Sequence, residues 1–345
     1  MEKKIRKLFI LTNESYYVDS GSYYCDNIDL KSIPEELSKY FEVNVIARKS
    51  NIQRTKLINN FKIKVANNIL SFLNFILNSA RNDNSEYLII SVSPYTFLAS
   101  LILKIFNKKH FIYLRSDGYE EYKAIFGKLG YLIYHILFSL SSLRADLISC
   151  REHILRKKKG LIVNPSQINE KWFKNLNEPN FKNLKLLYVG RLRVEKGIFS
   201  LLNLIEGSNL KLTVVTSEKN VSIKKKNENI SLISFENYND SIIKFYDEHS
   251  IFILPSYTEG HPQVLDEALA RQRPVIIFED IAHVIRNRKG IFISKRNIKS
   301  LEETIELIIS NYSNIKEELK TNVLPTKKNF IDELKKIILR VNDKE

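Results

Sequence analysis

The chain is short of cysteine, of long apolar runs and of clustered metal ligands, and each shortage removes a class of protein. Among 345 residues there are two cysteines. Cys25 and Cys150 stand far apart, which gives neither a disulfide framework nor a zinc spacing and fits a reducing, cytoplasmic setting. The opening "MEKKIRKLFILTNES" is basic like a signal peptide, but its apolar part is only "LFIL" and reads as a first strand. A membrane span needs about 20 mostly apolar residues. The stretch from Tyr87 to Leu103 contains Pro94, and that from Leu129 to Leu143 is shorter and contains His135. Both are expected as buried elements. There is no aspartate pair or histidine cluster with metal spacing, no Walker lysine and no intact Gly-x-Gly-x-x-Gly. No short repeat is present, and "RKKKG" is the one low-complexity tract.

What the chain has in excess is positive charge. Lys and Arg number 54 against 39 Asp and Glu, a formal net charge of +15. That balance suits a phosphorylated small substrate, an anionic membrane surface or nucleic acid, and it also serves plain solubility. An apolar content of 44% and a charged content of 27% are those of a globular protein, and the length suggests two domains.

Strand-like and helix-like pieces alternate along the chain. In the first half, "KLFILTN", "EVNVIAR", "YLIISVS", "HFIYLRS" and "DLISC" read as strands. "IPEELSKYF" reads as a helix with Pro34 near its start, and apolar residues between Leu57 and Ala80 recur at helical spacing. Further helices are expected at about Tyr95 to Phe106 and Tyr122 to Leu143. The second half repeats the pattern, with strands "LKLLYVG", "LKLTVVTS", "ISLISF", "SIFILPS" and "PVIIFED". Its helices are "GIFSLLNLIEG", "DSIIKFYDEH", "PQVLDEALA" and "SLEETIELIISNY". Alternation of this kind predicts an α/β protein with parallel sheets covered on both faces. The expected division is residues 1–170, 171–325 and a terminal amphipathic helix in 326–345 that needs a surface to dock on. Two doubly wound sheets, each binding at the carboxyl ends of its strands, would offer a cleft for a ligand.

Two stretches carry the chemistry. In "YVGRLRVEKG" a strand ends at Gly190, and Arg191 and Lys196 follow on the connection to a helix. A guanidinium fork, a lysine point charge and free helical N–H groups suit a diphosphate. In "TEGHPQVLDEALA", Glu259 follows a strand and lies at its carboxyl edge. Gly260 permits close ligand approach, and Pro262 suits the first turn of a helix that runs through Glu267. A carboxylate such as Glu267 can accept hydrogen bonds from a ribose diol, and Glu259 can bind hydroxyls beyond the phosphates. His261 either touches a ligand or caps the helix. Each stretch alone is equally a basic loop or a surface helix.

Together and in this order they resemble the donor-binding domain of glycosyltransferase family 4, retaining nucleotide-sugar transferases with the GT-B fold. The matching pieces are "YVGRLRVEKG", "ILPSYTEGHPQVLDEALARQRPVI" and "GIFI". The first half matches more loosely, through "LFILTN", a small-residue loop near Gly21, "LRADLISC" and "LIVNPSQINEKWF". The resemblance implies two Rossmann-like domains facing across a cleft. It implies Gly190, Arg191 and Lys196 at the donor diphosphate, Glu267 at the ribose and Glu259 at the transferred sugar, with Gly260 and His261 counted among the donor-binding residues. Arg191, Lys196 and Glu259 would be the catalytic group. The acceptor would bind the first domain near Gly21 and Asp117. No metal and no cofactor are implied, because Arg and Lys stand where a cation would stabilise the leaving group. The donor would be UDP- or GDP-linked and the acceptor a glycan or lipid-linked glycan. Two departures stand out: Gln272 replaces a usual glycine, and Ser116 in "LRSDG" replaces a usual histidine.

The rival readings are a glycosidase using Glu259 and Glu267, a sugar-nucleotide epimerase of the same architecture, and a basic nucleic-acid-binding module. A retaining carboxyl pair sits about 5 to 5.5 Å apart, whereas eight helical positions rise about 12 Å. No RNA motif or zinc finger accompanies the basic runs, so no nucleic acid is expected. A peripheral place on an anionic inner membrane face is a further expectation, resting on the basic and apolar stretches from Lys104 to Lys159.

Overall fold

The computed structural model describes residues 6–58, 61–81, 85–218, 228–234 and 242–340. Phe235, Asp240, Ser241 and Val341, assigned to elements from the sequence, lie outside the described residues. The chain divides into two compact units, Met1–Asn164 with Lys328–Glu345, and Pro165–Lys327.

The first unit contains strands β1 (Lys7–Asp19), β2 (Ser22–Cys25), β3 (Glu42–Lys49), β4 (Lys56–Ile58), β5 (Lys62–Ala66), β6 (Ser85–Ile90), β7 (His110–Leu114), β8 (Ala145–Ser149) and β9 (Leu161–Ile162). Its helices are α1 (Ile28–Leu37), α2 (Ile69–Arg81), α3 (Pro94–Ile105) and α4 (Gly118–Ser141). The parallel strands run in the order β5-β3-β1-β6-β7-β8-β9. β1 continues past its parallel partners and turns back through Ser20 and Gly21 into antiparallel β2, which pairs with β4. Positive φ at both turn residues, 48° and 80°, gives the turn that matches strand twist in a two-residue hairpin.

The second unit contains β10 (Leu186–Val189), β11 (Leu212–Thr216), β12 (Ile230–Ser234), β13 (Ile251–Leu254), β14 (Val275–Phe278) and β15 (Ile291–Ser294). They form a parallel sheet in the order β12-β11-β10-β13-β14-β15. Counted along the chain this is 3-2-1-4-5-6, the order of dinucleotide-binding sheets. Helices α5 (Ile198–Leu204), α6 (Ile243–Glu248), α7 (Gln263–Ala270), α8 (Ile298–Ser310) and α9 (Tyr312–Lys320) connect and flank it. Strands β10, β13 and β14 are buried along their whole length, as runs such as "IFIL" and "VIIF" require when both faces are covered. The terminal helix α10 (Lys327–Leu339) buries Phe330, Ile331, Leu334 and Ile338 in the same core as Leu8, Ile10 and Val45 of the first unit.

Three expectations are corrected. The helical stripe from Leu57 to Ala80 is two strands followed by α2. Lys62-Ile63-Lys64-Val65 alternates in exposure with period two, and Ile and Val favour a strand over the helix that their spacing suggested. Pro34 is inside α1, not near its start. The helix begins six residues earlier, where the Asn27 side chain accepts from the Asp29 N–H, the local signal that was missed. The stretch from Leu129 to Leu143 is not a buried element: α4 is long and apolar enough by composition to cross a membrane, yet most of it is exposed.

Candidate functional site

In the second sheet the strand order reverses between β10 and β13, which lie side by side. The crevice outside the carboxyl ends of two such strands is where open α/β sheets bind ligands. Both chemistry-bearing stretches emerge there. Gly190 to Lys196 follow β10, and Pro255 to Pro262 follow β13.

One glycine fixes how closely they approach. Gly197 has φ 64°, and a Cβ on it would lie 1.8 Å from the Pro255 carbonyl oxygen. Any side chain there forces the two connections apart. With them close, the Lys196 ammonium reaches the Glu259 carboxylate, Nζ to Oε1 2.7 Å. The Ser256 hydroxyl donates to the same oxygen, also at 2.7 Å. Among the described residues no partner falls on Glu259 Oε2. Backbone bonds hold the arrangement: the Tyr257 N–H donates to Glu195 O, and the His283 ring to Glu259 O. Arg296 clamps the loop after β13 by donating to the Pro255 and Ser256 carbonyls at 2.8 and 3.1 Å. Its guanidinium stacks on Tyr257 and Phe278 and pairs with Asp280.

Arg191 is exposed and has no side-chain partner among the described residues. Its backbone is held. The Tyr188 hydroxyl donates to Arg191 O at 2.7 Å, and the Leu192 N–H donates to Glu218. Burial, with Glu259 nearby, pushes the Tyr188 hydroxyl far above its ordinary pKa, so it remains a donor. A cavity of about 210 Å³ is lined by Gly190, Arg191, Lys196, Glu259 and His261 together with Pro262 and Gln263. A second of about 170 Å³ shares Gly190, Arg191 and Val264 and extends to Thr216 and Ser217 at the end of β11. The lining therefore offers a free guanidinium, an ammonium and a carboxylate.

His261 and Glu267 are used differently. The His261 ring is buried, with Nε2 3.5 Å from Asp266 Oδ2, while Arg288 pairs with the other oxygen of Asp266. The ring thus stands beside the first turn of α7 while lining the cavity. Glu267 is buried, accepts from the Tyr246 hydroxyl at 2.8 Å, and lies outside the lining of both cavities. Gly260 has open space where a Cβ would stand, so packing does not require glycine there. Sequence reasoning missed Ser256, Asp266, Arg288 and Arg296. "SYTE" and "LDE" sit inside the quoted motif, but the two arginines are supplied from beyond it.

In the first unit, Gly21 is the exposed hairpin tip. Asp117 is the N-cap of α4: Oδ1 accepts from the Tyr119 N–H at 3.0 Å, and Oδ2 pairs with Arg156 at 2.8 Å. Both of its oxygens serve the fold. Arg115, at the carboxyl end of β7, lies 3.6 Å from Glu14 and 3.9 Å from Asp29.

Residues 168–323 match the family described as glycosyl transferases group 1. A capsular polysaccharide biosynthesis glycosyltransferase, CapM, of Staphylococcus aureus is 30% identical over 162 residues, 43% of this chain and 41% of that protein. A teichuronic acid biosynthesis glycosyltransferase of Bacillus subtilis, TuaC, is 29% identical over 121 residues, 34% of this chain and 31% of that protein. The matched segment thus spans 41% and 31% of these two relatives, well under two thirds of either. Among solved structures, sucrose-phosphate synthase from Thermosynechococcus elongatus superposes with a TM-score of 0.70 at 13% identity, covering 97% of this chain and 99% of that one. HepE of Anabaena in complex with UDP and glucose gives 0.66 at 9% identity, covering 96% and 99%. At such identities the likeness is one of fold. That fold is α/β, of the GT-B class, with two Rossmann-like units in one chain.

Proposed function

We propose, from the match of residues 168–323 to the glycosyl transferases group 1, that this chain moves a sugar from a nucleotide diphosphate to an acceptor hydroxyl with retention of configuration. The observation that carries this reading is the convergence of Arg191, Lys196 and Glu259 on one cavity at the switch point of the second sheet. The diphosphate sits on Arg191 and Lys196, the two cations of the lining. As the anomeric C–O bond breaks, its electron pair goes to the diphosphate oxygen. The two cations stabilise that charge in a preorganised site, in place of a metal. The acceptor oxygen bonds to the anomeric carbon and passes its proton to the departing diphosphate oxygen.

Glu259 has two tasks in this scheme. Oε1 holds Lys196 in place, and Oε2 accepts from a hydroxyl of the transferred sugar. His261, fixed by Asp266, faces the same sugar. Glu267 binds the ribose by exchanging or sharing its Tyr246 contact. The first unit takes the acceptor, with Gly21 and Asp117 on that side. CapM and TuaC are named for capsular polysaccharide and teichuronic acid biosynthesis, which favours a glycan acceptor in surface-polysaccharide assembly. HepE was solved with UDP, which favours a UDP-linked hexose over a GDP-linked one. This chemistry belongs in the cytoplasm, where sugar nucleotides are made.

The test is a thermal-shift screen of UDP- and GDP-sugars. A ligand that binds only the native state raises Tm. We expect one nucleotide class to raise it in the parent chain and not in Arg191→Ala. No shift with any sugar nucleotide at millimolar concentration would sink the reading.

A further inference from the structure

Helix α4 is apolar on two opposite faces, and the protein buries only one of them. Gly130, Tyr134, Phe138 and Ser141 point into the core, at the spacing of one helical face. Leu129, Leu132, Ile136 and Leu140 form the opposite stripe, 63, 54, 51 and 41% exposed. Ile125 and Phe126, 67 and 59% exposed, extend it toward the N-terminus. A helix on a globular surface carries a polar outer stripe, and a contiguous exposed apolar patch of this kind marks a docking surface.

Beyond its first turn, where Glu120 and Glu121 stand and Glu120 pairs with Lys123 at 3.6 Å, the charges along the stripe are of one sign. From Lys123 to Arg144 the sequence has no acidic residue. Lys123 and Lys128 stand on the helix itself. At its C-terminal end the Lys104 ammonium donates to the Leu140 carbonyl, and Arg144 and Lys158 are close enough to Lys104 to depress its pKa, after burial. Lys158 also lies over the Phe138 ring at 5.4 Å. Among the described residues, unpaired lysine charge therefore begins at Lys128 within the stripe, and cations cluster at its C-terminal end.

We propose that the outer face of α4 docks flat on an anionic lipid bilayer. The helix does not span one. Gly127, at φ 62° and ψ −145°, breaks it, and the longer piece, Lys128–Ser141, is about 21 Å long at 1.5 Å per residue against a hydrocarbon core of about 30 Å. Its inner face is also committed to the core. An apolar face with basic flanks, lying in the interface plane, is the pattern of membrane-surface helices. A second copy of the chain is the weaker occupant. A two-fold contact brings a face against itself, and here cations would meet cations. Anionic headgroups complement the same cations.

The inference stands apart from the sugar-transfer reading, and its test measures no activity. The full chain is floated with phosphatidylcholine vesicles, with and without phosphatidylglycerol. We expect flotation with the anionic vesicles only. The double variant Phe126→Glu, Leu129→Glu should lose it by at least about tenfold, with an unchanged thermal melt because both side chains are already exposed. Lys128→Glu with Arg144→Glu should remove the preference for anionic vesicles. Absence of flotation by the parent chain overturns the proposal, and so does undiminished flotation of the Phe126, Leu129 variant. A dimer in sedimentation velocity that the same variant dissolves, without vesicle binding by the parent, assigns the face to a second copy and overturns it equally.

Discussion

The two units share a strand order but treat their first strand in opposite ways. In the second unit β10 is four residues long and stops at Gly190, where the chain turns and sets Arg191 and Lys196 over the strand ends. In the first unit β1 runs for thirteen residues, outlasts its parallel neighbours and folds back as a hairpin. One connection leaves a guanidinium without a side-chain partner among the described residues at the switch point. The other fills the equivalent place with antiparallel backbone whose polar groups are paired. At the end of β7 Asp117 follows the same contrast, since it caps α4 and pairs with Arg156, whereas Arg115 keeps Nε and Nη1 buried without a hydrogen bond among the described residues. Sheet topology therefore provides the location for a site, and the length of one strand decides whether polar groups are left over for a ligand. The family match confined to residues 168–323 fits that contrast.

If the second unit is the rigid frame of a polar site, its buried arginines should matter most. Arg271 is 1% exposed, pairs with Asp247 through two nitrogens at 2.8 and 2.9 Å, and donates to the carbonyls of Trp172, Lys174 and Asn175. Removing it leaves Asp247 with the more distant Arg273, 3.8 Å away, and takes a donor from three carbonyls. Arg271→Ala should cost about 3–5 kcal/mol, read as a lower urea midpoint with first-unit hydrogen exchange unchanged. Next in size is the active-site effect. Arg191→Ala and Lys196→Ala should each lower turnover at least about a hundredfold, roughly 3 kcal/mol, with little change in Tm for Arg191→Ala. Near-normal turnover in both variants would leave the short-strand connection without a catalytic meaning.

Much of the sheet architecture was legible because parallel strands buried on both faces must be apolar runs, and "LLYV", "IFIL" and "VIIF" look like nothing else. The ends of elements were less so. α1 began at an Asn27 cap that a nearby Pro-Glu-Glu signal obscured, and β5 has apolar residues whose spacing also fits a helix. At the site, residue types were legible and partners were not. Lys196 and Glu259 are 63 positions apart, and their pairing depends on Gly197 meeting Pro255, a contact no local pattern encodes. Arg271 and Arg273 carry no local sign of burial, yet both are buried, because their partners come from α6 and the segment before β10. The exposure of α4 was invisible for a related reason: an apolar run does not say on which of its faces the chain supplies a partner.

A pH scan reads both units, since each contains a buried histidine whose pKa is lowered. His110 lies between Ser100 and the Lys108 carbonyl, and His249 between the Phe245 carbonyl and the Thr213 hydroxyl, 2.6 and 2.7 Å away. Burial lowers both imidazoles below their ordinary pKa, with Lys104 acting the same way on His110 and Lys185 on His249. The unfolded chain then binds protons that the folded one refuses. Stability is full above the unfolded value of about 6.5 and falls as pH drops through it, by at most about 1.4 kcal/mol per histidine at one unit below. Tm should decline from pH 7.5 to 5.5, and Thr213→Val should change the decline in the second unit only.

The smallest effects concern the left-handed backbone positions, where the units again differ. At the hairpin tip of the first, Gly21 has φ 80° with no atom within 4 Å of a would-be Cβ. At the end of α7 in the second, Gln272 has φ 54°, with its N–H bonded to Leu269 O and that of Arg273 to Ala268 O. That pair of bonds is the helix-ending motif whose left-handed residue is usually glycine. The two substitutions should therefore have opposite signs. Gly21→Ala adds backbone strain and should lower stability by about 1 kcal/mol. Gln272→Gly relieves strain while loosening the unfolded chain, for a net gain of about 0.5 kcal/mol. Urea melts of both variants read the difference. A loss in Gln272→Gly would mean that its side chain contributes contacts outweighing the backbone term, and that the departure from glycine is itself a stabilising feature of the second unit.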